Sequence, residues 1–213
     1  MHLLVWYPFV KSKGPRSLEV ADMSDETRVP FKRLFFALNC APEQRRAIAQ
    51  WRNALELNVG RPVPAENFHL TLLFLGTVGM AQIAGVCEAA ANVQLPGMPL
   101  TVVLDRLEVW RRSGVLLLAP EQAEPQLLRL VYALEQAMLP FGFEDTRREF
   151  RPHLTLMRDY RSPVPESATP PEFFLRADRF TLFESHKGRY RALAEWPLIS
   201  TQKKAPEGAR NSP

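Results

Sequence analysis

The chain has 213 residues, 46% of them hydrophobic, enough for one globular unit of two lobes around a sizeable core. Its net charge of +4 invites a nucleic-acid reading, but residues 1–32 contribute +1 and residues 201–213 contribute +2, so a broad electrostatic footprint on the core is excluded. Two cysteines, Cys40 and Cys87, exclude a disulfide framework and suit a reducing cytoplasm, and no apolar run approaches the length of a bilayer span.

In chain order, residues 1–10 are apolar, but Pro8 breaks the run and the lysines follow it, so no secretory signal is expected. Met23 starts a polar lead-in, and the functional chain is expected to begin near it, with 1–32 a poorly ordered extension. A strand at 33–38 leads to Ala41-Pro42-Glu43-Gln44, which opens a helix at 42–57 with Ile48, Trp51 and Leu55 at core spacing. A strand at 68–75, a helix at 80–92 and strands at 100–110 and 115–119 follow. Ala119-Pro120-Glu121-Gln122 then repeats the first helix opening and predicts a helix at 122–139, with Leu127, Leu130, Val131, Leu134 and Met138 inward. A strand at 151–157 precedes a proline-rich loop, 161–172, expected to border any cleft. Strands near 173–184 and 190–198 close the fold, joined by a turn at Glu184-Ser185-His186-Lys187-Gly188 that leaves His186 exposed. The tail 201–213 reads as disordered. Short connections and an irregular alternation of strands and helices predict an α+β domain over 33–200.

Inside this order one string occurs twice: His-Leu-Thr-Leu at His69 to Leu72 and at His153 to Leu156. On a strand, residues two apart share a face, so each histidine lies beside its threonine while both leucines turn to the core. On a helix the same spacing would separate imidazole and hydroxyl by roughly 200°. The frame repeats too, since each copy follows a strand and an Ala-Pro-Glu-Gln helix start. Two related lobes are expected, mainly of antiparallel sheet with helices outside, their His-x-Thr faces turned to one central cleft.

Two imidazoles near neutrality can divide the work of a reaction that takes one proton and gives another. Threonine hydroxyls are uncharged donors that hold oxygens of a central anion without fixing either imidazole's charge. The set suits in-line displacement at a phosphodiester, where the attacking water needs a base and the departing alkoxide an acid. Other chemistries fit less well. No His or Cys spacing suggests zinc, Cys40 and Cys87 lack a nucleophile's flanking motif, and no glycine-rich phosphate loop is present. Most arginines read as solvated surface, although Arg147, Arg148, Arg151 and Arg158 around the second motif form a cluster able to hold phosphate.

The framed motifs, Asn67-Phe68-His69-Leu70-Thr71-Leu72-Leu73-Phe74-Leu75-Gly76 and Arg151-Pro152-His153-Leu154-Thr155-Leu156-Met157-Arg158, resemble the two-histidine phosphoesterase superfamily. They are most similar to its bacterial RNA 2′,3′-cyclic phosphodiesterases, also described as 2′-5′ RNA ligases. The resemblance runs from Arg33 to Trp196. It implies hydrolysis of an RNA or oligonucleotide 2′,3′-cyclic phosphate to a 2′-phosphomonoester by a cytoplasmic monomer, with no metal and no cofactor. By carry-over, His153 is the general base and His69 the general acid, Thr71 and Thr155 hold the non-bridging oxygens, and Arg158 binds phosphate. Phe35 or Phe36 is a candidate stacking surface for a terminal base, with core packing the more frequent role. A reversible 2′-5′ RNA ligase and a non-catalytic nucleotide- or RNA-binding module stand as alternatives.

Overall fold

The computed structural model describes residues 30–143 and 149–199. The proposed start near Met23, most of the expected extension, Arg147, Arg148 and the tail lie outside these residues. Strand β1 (Phe31–Asn39) begins two residues before the expected domain boundary, so Phe31 and Lys32 belong to the sheet. Its apolar run is buried on both sides, as a central strand requires. Leu34, Phe36 and Leu38 enter the main core, while Phe35 and Ala37 join a smaller apolar cluster on the opposite face.

Helix α1 (Pro42–Asn53) starts as the sequence predicts, with Pro42 in its first turn. Gln44 Oε1 accepts the Ala41 N–H at 2.7 Å, satisfying one of the orphan donors of the helix start. The helix ends four residues earlier than expected. Strand β2 (Arg61–Pro62) and a 3₁₀ turn at Ala65–Asn67 then lead into β3 (His69–Gly79), followed by α2 (Met80–Ala91).

Two strands predicted as continuous are each broken at an aspartate, where the chain passes from one sheet to another. The first gives β4 (Leu100–Leu104) and β5 (Arg106–Trp110), the second β8 (Phe173–Ala177) and β9 (Arg179–His186). At the first break Asp105 N–H donates to the Ala119 carbonyl, and the Asp105 carboxylate accepts the Glu121 N–H at 2.7 Å. At the second, the Asp178 carbonyl accepts the Leu198 N–H. The first arrangement also corrects the second helix start. Ala119-Pro120-Glu121-Gln122 forms a turn pinned by Asp105 after β6 (Val115–Ala119), and α3 (Pro125–Met138) starts three residues later, on a different proline.

The remaining strands are β7 (Leu154–Arg158) and β10 (Arg189–Pro197). The main sheet runs β10-β9-β1-β3-β7-β6-β5 with β2 added to β7, while β4 and β8 pair separately. Its neighbouring strands are antiparallel. One lobe is β10-β9-β1-β3 and the other β7-β6-β5. They meet at a single register pair, Leu70 opposite Leu154, beyond which β2 takes over the free edge of β7. Both leucines are fully buried, in a core cluster that continues through both lobes and under all three helices. The loop at 161–172 is without regular structure, as expected, but it does not line the cleft. It packs beside α1, where Trp51 Nε1 donates to the Thr169 carbonyl at 2.9 Å.

Candidate active site

The lobe seam runs through the motif repeat. Counting outward from Leu70 and Leu154 in an antiparallel register sets His69 across from Thr155 and Thr71 across from His153. The four side chains point to the face opposite the leucines, as strand alternation predicts, with the histidines on a diagonal. All four line one cleft of about 680 Å³. His153 itself lies one residue before β7 begins, at the mouth of the strand.

Each histidine is oriented in the same way. His69 Nδ1 lies 2.7 Å from the Asn67 carbonyl and His153 Nδ1 lies 2.8 Å from the Arg151 carbonyl, in both cases two residues upstream. A carbonyl only accepts, so Nδ1 carries the proton and Nε2 is left to the chemistry. His69 Nε2 is 3.1 Å from Thr71 Oγ1, whose hydroxyl donates to it when the ring is neutral.

Burial pushes the His69 pKa down to about 4, against the opposing effect of its bond to the Asn67 carbonyl, and the nearby His153 and Arg158 charges lower it further. The His153 pKa is also lowered, first by burial, with Arg151 and Arg158 acting the same way and Glu108 opposing them. Both shifts favour the neutral ring at pH 7. An anion between them would supply the counter-charge that lets one of them hold a proton.

Each imidazole also has aromatic walls. Tyr190 meets His69 edge-on with centroids 5.0 Å apart, Phe35 lies 5.0 Å from both rings and completes a triangle with them, and Trp110 lies 4.5 Å from His153. Trp110 is held by its Nε1–H donating to Glu108 at 3.2 Å and by the Arg151 guanidinium over its ring. Glu108 also pairs with Arg151 at 3.2 Å, so one carboxylate braces the wall of His153. Sequence reasoning missed these walls, because β5 and β10 lie far from the motifs in the chain. The base-stacking candidates are corrected. Phe35 is 1% exposed and Phe36 fully buried, so neither offers a free ring face.

Phe74 stands 46% exposed at the cleft rim, stacked on Phe35 with centroids 5.8 Å apart and with the Arg33 guanidinium 5.2 Å from its centroid. Strict alternation from Thr71 would instead have aimed Leu73 into the cleft. The ladder between β1 and β3 passes from Ala37–Thr71 to Phe36–Leu73, so Leu72 is an extra residue that reverses the alternation. The second copy does the same: Leu117 pairs Thr155 and Leu116 pairs Met157, leaving Leu156 extra. Met157 turns into the core and Arg158 into the cleft. Phe74 and Arg158 thus occupy equivalent positions, each five residues beyond its histidine. The cleft has a ring on one side of its pseudo-twofold axis and a cation on the other.

The other candidates fall outside this centre. Cys40 is a core residue whose thiol is pushed up to about 12 by burial, far from thiolate chemistry at neutral pH. His186 is exposed at the end of β9, away from the two histidines. Among the described residues no three His, Cys, Asp or Glu side chains cluster in a way that could hold a metal ion, and no helix is long and apolar enough to cross a membrane.

A family model described as LigT-like phosphoesterase matches residues 38–117 and again 117–194, one match to each copy of the motif. The chain belongs to this family. An RNA 2′,3′-cyclic phosphodiesterase of Escherichia coli (strain K12) is 36% identical over 174 residues, which is 78% of this chain and 97% of that relative. A protein of the same name from Geobacillus stearothermophilus is 26% identical over 187 residues, 82% of this chain and 58% of that relative. The crystal structure of E. coli LigT complexed with 3′-AMP superposes with a TM-score of 0.69 at 33% identity, covering 80% of this chain and 100% of that one. The two-lobed α+β fold of this LigT-like phosphoesterase is therefore that of solved members of its family.

Proposed function

We propose that the protein hydrolyses the terminal 2′,3′-cyclic phosphodiester of RNA or an oligonucleotide to a 2′-phosphomonoester, acting as a cytoplasmic monomer with neither metal nor cofactor. The observation that carries this reading is the diagonal pair of His-x-Thr faces at one seam, each histidine with Nδ1 anchored on a carbonyl so that Nε2 is the nitrogen left for proton transfer, that of His69 beside Thr71 Oγ1. The names of the relatives, and the 3′-AMP complex of E. coli LigT, support the substrate class.

His153, whose burial favours the neutral ring, takes a proton from water as the water oxygen attacks phosphorus. The bond from phosphorus to O3′ breaks, and His69 gives its proton to that oxygen. Thr71 and Thr155 donate to the non-bridging oxygens, while Arg158 offsets the charge that builds on them. Phe74 receives the terminal base on its exposed face. The transferred protons balance, with one taken at His153 and one released from His69, and solvent restores the starting state.

The decisive experiment is the product formed from a short oligonucleotide ending in 2′,3′-cyclic phosphate. A 2′-phosphate end that forms equally in EDTA is expected. A 3′-phosphate end, joining to a 5′-hydroxyl RNA in place of hydrolysis, no turnover, or loss of activity in EDTA with recovery on added metal would each overturn part of the scheme.

A further inference from the structure

A second concavity lies at the open end of the same sheet, behind the β9–β10 hairpin. It has a volume of about 610 Å³ and is lined by Lys32, Glu184, His186, Lys187, Arg189 and Arg191. Strand alternation separates it from the cleft: Ser185 and Tyr190 face the histidines, whereas Glu184, Arg189 and Arg191 face the opposite way. The hairpin tip is the partition, since Gly188 lines the cleft and Lys187 the groove.

The charge of this groove is not internally cancelled. Its carboxylate, Glu184, is committed to Lys32 at 2.7 Å. Lys187, Arg189 and Arg191 are exposed and have no carboxylate partner among the described residues. Three unpaired cations grouped at one edge contrast with the near-neutral core, and they stand next to a cleft read as accepting an RNA end. The tip is also rigidly referenced to the catalytic strand. Asn67 Nδ2 donates to the Gly188 carbonyl at 2.9 Å, and the Asn67 carbonyl is the group that orients His69. Lys187 at φ 49° and Gly188 at φ 76° form the tight two-residue turn that makes the partition thin.

We propose that this groove binds the phosphodiester backbone of an RNA strand whose 3′ end occupies the cleft, the strand passing over the Lys187–Gly188 tip. The proposal rests on the function given above and extends it from the terminal nucleotide to the preceding ones. Backbone recognition by lysine and arginine is independent of sequence and sensitive to salt, with a slope of roughly 0.7 per neutralised phosphate on a single strand.

The test compares the parent with R189A/R191A and R189E/R191E. Turnover is measured on 2′,3′-cyclic AMP and on an oligoribonucleotide of about ten residues ending in 2′,3′-cyclic phosphate, a length within the usual single-strand site sizes. Anisotropy of a fluorescent RNA of the same length, without a cyclic end, gives binding separately from chemistry. Both variants should turn over the mononucleotide at the parent rate. Binding of the long RNA should weaken roughly tenfold or more in the charge-reversed variant, and the salt slope should fall by about one or more, at roughly 0.7 per lost contact. Unchanged RNA binding and salt slope in the charge-reversed variant would overturn the groove, even if the parent hydrolyses both substrates. A parent that turns over neither substrate, but loses RNA affinity on charge reversal, would retain the groove and sink the hydrolase reading.

Discussion

At the scale of single residues, the two histidines share a tautomer and, in the proposed reaction, take opposite roles. General acid-base help is worth about 10² to 10⁴ per group, so His69→Ala and His153→Ala should each lower kcat by at least that range's lower bound on a cyclic-phosphate oligonucleotide, with binding of a 2′-phosphate product retained. Full activity in either variant would remove the scheme. The pH dependence follows from the depressed pKa values. Both free-enzyme rings lose their protons below the ordinary histidine value of 6.5, and the productive pair needs one proton. The kcat/KM profile should therefore peak on the acid side of pH 6.5, while kcat, measured with the phosphate anion bound, should peak at higher pH. Coincident profiles would contradict the burial argument. The same shift has a sign for stability. A histidine whose folded pKa is lowered leaves stability intact above 6.5 and erodes it as pH falls toward about 4, by up to about 3 kcal/mol for His69. Urea unfolding of His69→Asn should show a flatter pH dependence over that window.

At the scale of elements, the two β-bulges decide what the cleft contains. The His-x-Thr spacing was legible because alternation is local, and so was the start of α1, because Pro42 and Gln44 act within one turn. The extra residues Leu72 and Leu156 were not legible. Nothing in a leucine run marks where a ladder will slip, since the slip is set by the fit of β3 to β1 and of β7 to β6. They bring Phe74 and Arg158 to equivalent rims, one able to stack and one able to bind charge. Base stacking on an aromatic ring is worth about 1–3 kcal/mol, so Phe74→Ala should raise KM for a cyclic mononucleotide about tenfold with kcat nearly unchanged. A fall in kcat alone would place Phe74 in the chemistry instead. Gly60 ties β2 to β7. It has φ 83°, and a Cβ there would meet the Arg158 carbonyl at 3.0 Å and the Tyr160 side chain at 3.2 Å. Gly60→Ala should therefore destabilise the fold by more than about 1 kcal/mol in urea titrations and disturb the strand that carries Arg158.

For the molecule as a whole, β3 and β7 share one backbone register pair, flanked by the pairs of β2 with β7, and beneath them runs a continuous core. Truncating either seam leucine removes side-chain packing from that shared core, so Leu70→Ala or Leu154→Ala should cost about 2–5 kcal/mol and shift a single cooperative unfolding transition. Two separated transitions would mean that the lobes are independent domains. The α+β class, the order of the elements and the membership of His69, Thr71, His153, Thr155 and Arg158 in one site were readable from the chain because they rest on side-chain period, on turn chemistry and on a string repeated in matching frames. The copied string could not reveal its own asymmetry. Tertiary structure decided that Trp110 and Tyr190 wall the imidazoles, that the second Ala-Pro-Glu-Gln is a turn held by Asp105, and that one rim carries a ring where the other carries a cation. Such features depend on which strands become neighbours and how tightly they pack, and packing between distant segments leaves no periodic trace in either segment alone.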